Sequence, residues 1–116
     1  MERAMRTPAI NRERARERQR APAALRLERV LHALSDPVRL GIVVQLQRQG
    51  ECSCAALDGG RPKSTMSHHF RVLRDAGLVQ TTVQGVTHMN RLCREPLDAA
   101  FPGVLDAILS AATRAN

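Results

Sequence analysis

The 116-residue chain contains no tryptophan and no tyrosine, and its only aromatic rings beyond histidine are Phe70 and Phe101. Binding of single-stranded nucleic acid by base stacking needs aromatic platforms, so that class is disfavoured. No apolar run approaches the roughly 20 residues that cross a bilayer. The first 24 residues are arginine-rich without an apolar centre, which disfavours a secretory leader and points to a cytoplasmic chain. Cysteine is scarce: Cys52, Cys54 and Cys93 are an odd set, so a disulfide framework is not expected and a thiol or metal role stays open. Lysine is almost absent. Of 18 basic residues 17 are arginine, with Lys63 the exception, against 11 acidic residues and a net charge of +7. Arginine bonds phosphate and guanine in bidentate fashion, so nucleic acid is the first partner to consider.

The charge is unevenly placed. Residues 1–22 hold seven arginines against three glutamates and little that is apolar. Such a segment cannot bury enough surface to order itself, and a mobile basic arm is expected, with 23–116 as the folded domain. From residue 23 the pattern is helical. Leu25, Val30, Leu31 and Leu34 recur at helical spacing. Asp36 then serves as an N-cap with Pro37 at the first helical position. Val38, Ile42, Val43 and Leu46 form the second helix's stripe, closed by Gly50. A short helix over about Cys52 to Leu57 follows, then turn chemistry in Asp58-Gly59-Gly60-Arg61-Pro62.

The next segment is the informative one. Ser64 or Thr65 is expected to cap a helix running to about Ala76, with Gly77 just beyond. Met66, Phe70 and Leu73 fall on one side of it; Ser67, His68, Arg71 and Arg74 spread over the other. His69 lies at the edge of the apolar side and is expected to be packed and hydrogen-bonded. Leu78–Val83, a turn at Gln84-Gly85 and Val86–Leu92 read as a two-stranded hairpin. A last helix is expected from Pro96 along Leu97, Phe101, Val104, Leu105, Ile108 and Leu109, interrupted near Pro102-Gly103.

The fold class is therefore mainly α with a β-hairpin, and 52–76 has the form of a helix-turn-helix. A polar, cationic helix face suits the major groove of duplex DNA. Ser64, Thr65 and Ser67 are short enough to let backbone approach phosphate and bases. His68 can contact a base edge, Arg71 and Arg74 guanine or phosphate, and Lys63 phosphate. The hairpin tip, with Gln84 and Thr87, would lie beside the duplex as a wing. A solvated polar face is the bland alternative, and a winged-helix module that binds another protein is the competing function. A small thiol oxidoreductase is disfavoured: the cysteine spacing is not C-x-x-C, and no phosphate-binding glycine loop or catalytic triad is present.

Leu34-Ser35-Asp36-Pro37-Val38-Arg39-Leu40, followed by Ser64 to Val79 (STMSHHFRVLRDAGLV), resembles the ArsR/SmtB family of bacterial winged-helix repressors over about residues 25 to 113. The resemblance implies a symmetric homodimer built from the first and last helices, a pseudo-palindromic double-stranded operator near its own promoter, and release by an inducer. It places base contacts on Ser64, Thr65, Ser67 and His68, with Arg71 and Arg74 near the DNA backbone. Many members sense metal with a cysteine pair, and Glu51-Cys52-Ser53-Cys54-Ala55 is similar. That implies Cys52 and Cys54 as ligands of a thiophilic ion such as zinc, cadmium or arsenite, with Cys93 or the arm supplying a third donor. The family's second zinc site finds only Asp98 and Asp106 here. Thiol oxidation, a structural role for the cysteines, and a regulator without a small-molecule sensor remain open. The hairpin is nearly neutral, so the basic arm is the candidate source of the charge that wings often carry.

Overall fold

A computed structural model describes residues 24–115 of the protein, so the expected arm over 1–22 lies outside the described residues. Six helices and a small sheet are described: α1 Leu27–Leu34, α2 Pro37–Gln49, β1 Cys52–Ser53, α3 Cys54–Leu57, α4 Lys63–Asp75, β2 Val79–Gln84, β3 Thr87–Leu92, α5 Arg94–Ala100 and α6 Val104–Ala115. None of the described helices is long and apolar enough to cross a membrane.

The α1–α2 corner follows from local chemistry. Ser35 ends α1 by donating its hydroxyl to the His32 carbonyl at 2.6 Å. Asp36 then caps α2, its Oδ2 accepting from the Val38 and Arg39 backbone N–H groups at 2.8 and 3.1 Å. Burial alone would push the Asp36 carboxyl up. The N–H groups of Arg39 and Val38, helped by the His69 and Arg39 side chains, outweigh it and hold it below the ordinary carboxylate range. On α2, Ile42, Val43 and Leu46 are buried, and they join Val30, Ala33 and Leu34 of α1 in one core with Met66, Phe70, Leu73, Leu78, Leu97, Leu105 and Leu109.

The helix-turn-helix departs from expectation at the start of its short helix. Cys52 and Ser53 are not helical. They form β1, which pairs antiparallel with β3 (Cys52 opposite Asn90, Ser53 opposite Met89), so the sheet has three strands in the order β1-β3-β2. Two residues of strand carry no periodicity to read, and the pairing is made with a segment 36 and more residues away. The helix proper begins at Cys54, where the Ser53 hydroxyl accepts from the Ala56 N–H at 3.1 Å.

Helix α4 also starts earlier than expected. Its N-cap is Pro62, which offers no side-chain hydrogen bond, and Lys63, Ser64 and Thr65 form its first turn instead of capping it. The far end matches expectation: Gly77 takes φ 85°, and the Gly77 and Leu78 N–H groups bond the Arg74 and Leu73 carbonyls, each at 3.0 Å. The hairpin turn is Gly85-Val86 instead of Gln84-Gly85, since Gln84 still pairs with Thr87. Gly85 at φ 65°, followed by a residue of negative φ, matches the signs of a type II′ turn, in which glycine belongs first.

The expected last helix is two helices. The first begins at Arg94, two residues before Pro96, because proline is tolerated in a first turn. Phe101-Pro102-Gly103 separates α5 from α6. Arg94 ties the pair together, bonding Asp98 on α5, Asp106 on α6 and Gln47 on α2. One expected core residue is not there: Leu31 is 46% exposed, and Leu27 one turn before it is 40% exposed.

Replacing Asp36 with alanine should cost about 1 kcal/mol of stability, measured by urea unfolding near pH 7. Because the folded carboxyl titrates below its unfolded value, that contribution is complete above about pH 4 and vanishes as pH falls through the lowered value. Parent and variant should therefore converge in stability on strong acidification; a gap that widens in acid would contradict the capping role.

Candidate nucleic-acid interface

Helix α4 is held by one stripe and bare on the other. Met66, Phe70 and Leu73 are buried at 1%, 4% and 0% exposure, which fixes the rotation of the helix. Lys63, Ser64, Thr65, Ser67, His68 and Arg71 are all exposed, so six of the expected contact residues share one accessible surface. The first turn of α4 holds no acidic residue, no side chain caps it, and a lysine occupies its first position. The helix macrodipole makes that end positive, so an acid would be the stabilising choice and a lysine is not. An anion brought to this turn relieves the conflict, and phosphate is the group such termini accept.

Arg74 sits differently from the other expected contacts. It is half-buried and donates from Nη1 to the Thr81 hydroxyl at 3.5 Å, joining α4 to β2. The Thr81 hydroxyl in turn donates to Asn90 Oδ1 at 2.7 Å. Asn90 is fully buried, and its Nδ2 donates to the Cys52 carbonyl and to Cys54 Sγ, both at 3.3 Å. A continuous hydrogen-bonded chain thus runs from the thiol of Cys54 through β3 and β2 to the C-terminal turn of α4. Asn90 was missed by the pattern reading. An asparagine inside an alternating strand gives no signal until β1 is known to lie against it.

Gln84 and Thr87 face each other in the last register pair of the hairpin, exposed at its tip beside the fully exposed Val86. Thr87 also lines a cleft of about 530 Å³ between α3, α4 and β3, together with Lys63, Ser67, Cys54 and His88. The fold therefore brings the start of α4, the wing and one cysteine to a common opening. His88 was also missed, for it had no helical or motif context.

The cysteines are not equivalent. Cys52 is 5% exposed, its thiol donating to Gln49 Oε1 at 3.4 Å. Cys93 is buried as well, and burial pushes its thiol up against a smaller opposite pull from Arg91. Cys54 alone of the three is half-exposed. Among the described residues, no three histidine, cysteine, aspartate or glutamate side chains gather into a metal-binding group. A closed soft-ion site takes three or four donors. The described donors do not complete one: Cys52 would have to leave the core, and a third ligand is not gathered beside the pair.

The His69 side chain is only 12% exposed, and it meets Arg39, whose Nη1 lies 3.2 Å from its Nδ1. That is the packed, hydrogen-bonded state expected for it.

Residues 34–82 match a family model described as a helix-turn-helix domain. Over 73 residues the chain is 40% identical to the arsenical resistance operon repressor of Staphylococcus xylosus, a match that covers 62% of this chain and 70% of that one. The structure of the transcriptional repressor BigR from Xylella fastidiosa superposes with a TM-score of 0.53 at 29% identity, covering 82% of this chain and 96% of that one. That of the cadmium metal-sensor CMTR from Mycobacterium tuberculosis gives a TM-score of 0.50 at 33% identity, covering 68% and 83%.

The unequal burial of the thiols sets an expectation for the folded protein. Brief treatment with N-ethylmaleimide should add one equivalent, on Cys54, and denaturation should admit two more, as read by peptide mass spectrometry. Labelling of Cys52 as fast as Cys54 would contradict the burial described.

Proposed function

The chain belongs to the ArsR/SmtB family of winged helix-turn-helix regulators, and from that premise we propose how its surface is used. It is a DNA-binding transcriptional repressor. In our reading α4 enters the major groove of a double-stranded operator. Lys63, Ser64 and Thr65 take phosphate at the helix start, while Ser67 and His68 meet base edges. Arg71 contacts the DNA backbone, Arg74 braces α4 against the wing beside it, and Gln84 and Thr87 approach the flanking groove. The observation that carries this reading is the first turn of α4: uncapped, without an acid, led by a lysine and exposed.

A symmetric homodimer completes it, joined through α1 and α6. Its support is the pair Leu27 and Leu31, one helical turn apart and exposed on α1, in a domain small enough to gain from a second core. Two α4 helices would then stand about 34 Å apart, one turn of duplex, facing the halves of a palindrome.

For the inducer we place the event at Cys54. Its thiol is the accessible end of the chain through Asn90 and Thr81 to Arg74, and it opens on the cleft shared with Lys63, Ser67 and Thr87. A change at that sulfur removes an acceptor from Asn90 and alters the support of α4. Zinc, cadmium and arsenite are the thiophilic candidates, and the donor count above means that a metal would need a ligand from elsewhere.

Alanine at Arg71 should weaken binding of all duplexes evenly and lower the salt slope by about 1, while substituting Ser67 and His68 should cost about 1–3 kcal/mol of discrimination per lost base contact. Gel shifts on the upstream DNA across a salt series measure both; variants that bind that DNA like the parent would reject the interface. Leu31→Glu should leave a folded monomer with much weaker operator binding, read by sedimentation. Titrating cadmium or arsenite onto the complex tests the inducer: release that persists in Cys52→Ser/Cys54→Ser moves the sensor elsewhere, and no release with any thiol reagent favours a regulator without one.

A further inference from the structure

The most deeply buried charge in the fold belongs to a residue with no place in the interface above. Arg39, on α2, is 7% exposed. Its Nε donates to the Ala33 carbonyl at 2.8 Å and its Nη2 to the His32 carbonyl at 3.4 Å, both at the C-terminal end of α1. Its Nη1 reaches His69 Nδ1 on α4 at 3.2 Å. One guanidinium therefore bonds two other helices, α1 and α4, from a fixed planar fork.

We propose that Arg39 is a positioning residue for DNA reading: it holds α4 at its angle through the neutral imidazole of His69, and a proton taken up by His69 releases that hold. The guanidinium has only donors, so Nδ1 must accept and the imidazole proton sits on Nε2. A protonated imidazole has no acceptor left. The carboxylate that could pair with the new proton, Asp36 Oδ2, lies beyond hydrogen-bond reach of Nδ1 as the ring now stands. From α2 it faces Arg39 and, at 3.9 Å, Asp36 Oδ2, which already accepts from two backbone N–H groups. On its own helix the His68 ring lies 5.9 Å away. From α1 come the backbone carbonyls of His32 and Ala33, which are bonded to Arg39. An imidazolium is thus pushed from Arg39 toward Asp36, and His69 stands on the same turn of helix that presents Ser67, His68 and Arg71. Reading of bases tolerates displacements of only about 0.5 Å.

The sign separates this from ordinary electrostatics. Acid adds positive charge to a protein and tightens its hold on DNA; loss of the Arg39–His69 bond loosens it. The test uses the full chain and a fluorescent duplex of the DNA upstream of its gene, with His32→Gln, His68→Gln and His88→Gln in every sample to remove the exposed imidazoles. From about pH 8 to about pH 5.5, affinity should fall about 5-fold or more with His69 present. His69→Gln, which keeps a carbonyl acceptor for Arg39, should bind within about 3-fold of it at the higher pH and lose the pH dependence, whereas His69→Leu should bind about 10-fold more weakly at both. Affinity that rises or stays level in acid, or a leucine variant that is folded by circular dichroism and binds like the histidine form, overturns the proposal. The proposal rests on the operator-binding reading, and a second measurement separates the two. Nitrogen-15 spectra of the free protein at neutral pH should show the His69 proton on Nε2; a proton on Nδ1 overturns the strut whether or not any duplex binds.

Discussion

The placement of every candidate contact on α4 depends on the three side chains that anchor that helix. Met66, Phe70 and Leu73 lie in the core with Ile42, Val43 and Leu46 of α2. Burying side chains of this size contributes about 1.5–3 kcal/mol each, more than any surface contact of the helix supplies. They leave α4 one rotational setting. In that setting Ser67, His68 and Arg71 face solvent because no other face remains for them.

Against that apolar anchor the fold sets two buried polar residues, and each spans elements that the hydrophobic core leaves free to slide. Arg39 links α1, α2 and α4; Asn90 links β1, the start of α3 and β2. Hydrogen bonds of this kind are directional, and a buried donor without its partner is costly, so they fix distances where hydrophobic contact fixes only proximity. Among the described residues no buried side-chain nitrogen or oxygen lacks a partner. The middle and the C-terminal turn of α4 are thus tied by polar contacts, His69 to Arg39 and Arg74 to Thr81, and each contact leads away from the exposed face of the helix.

The first turn of α4 is built against local stability. A glutamate at Lys63 or a serine in place of Pro62 would make a better helix start. In the proposed reading the conflict is placed where the helix meets DNA, and the cleft beside it, bounded by the wing and by Cys54, puts the one accessible thiol next to it. The proposed binding and release would then act on neighbouring atoms without a large rearrangement of the core.

Much of this was legible in the chain. The caps at Asp36 and Gly77, the apolar stripes of α2 and α4, and the exposure of Lys63, Ser64, Thr65, Ser67, His68 and Arg71 follow from periodicity and local chemistry, which depend on residues within a few positions of one another. What the chain alone could not settle involved partners far apart in sequence. Cys52 became a strand residue because Asn90 stood opposite it, and that pairing separated two cysteines that looked alike. Arg74 turned from solvent toward Thr81 once β2 was laid beside α4. Leu31 matched the core pattern of α1 yet stayed outside, since the stripe of a short helix is wider than the surface the other helices cover. Local rules decide which residues are helical and which side is apolar; only the packed chain decides which apolar side chain finds a neighbour and which charge finds an acceptor.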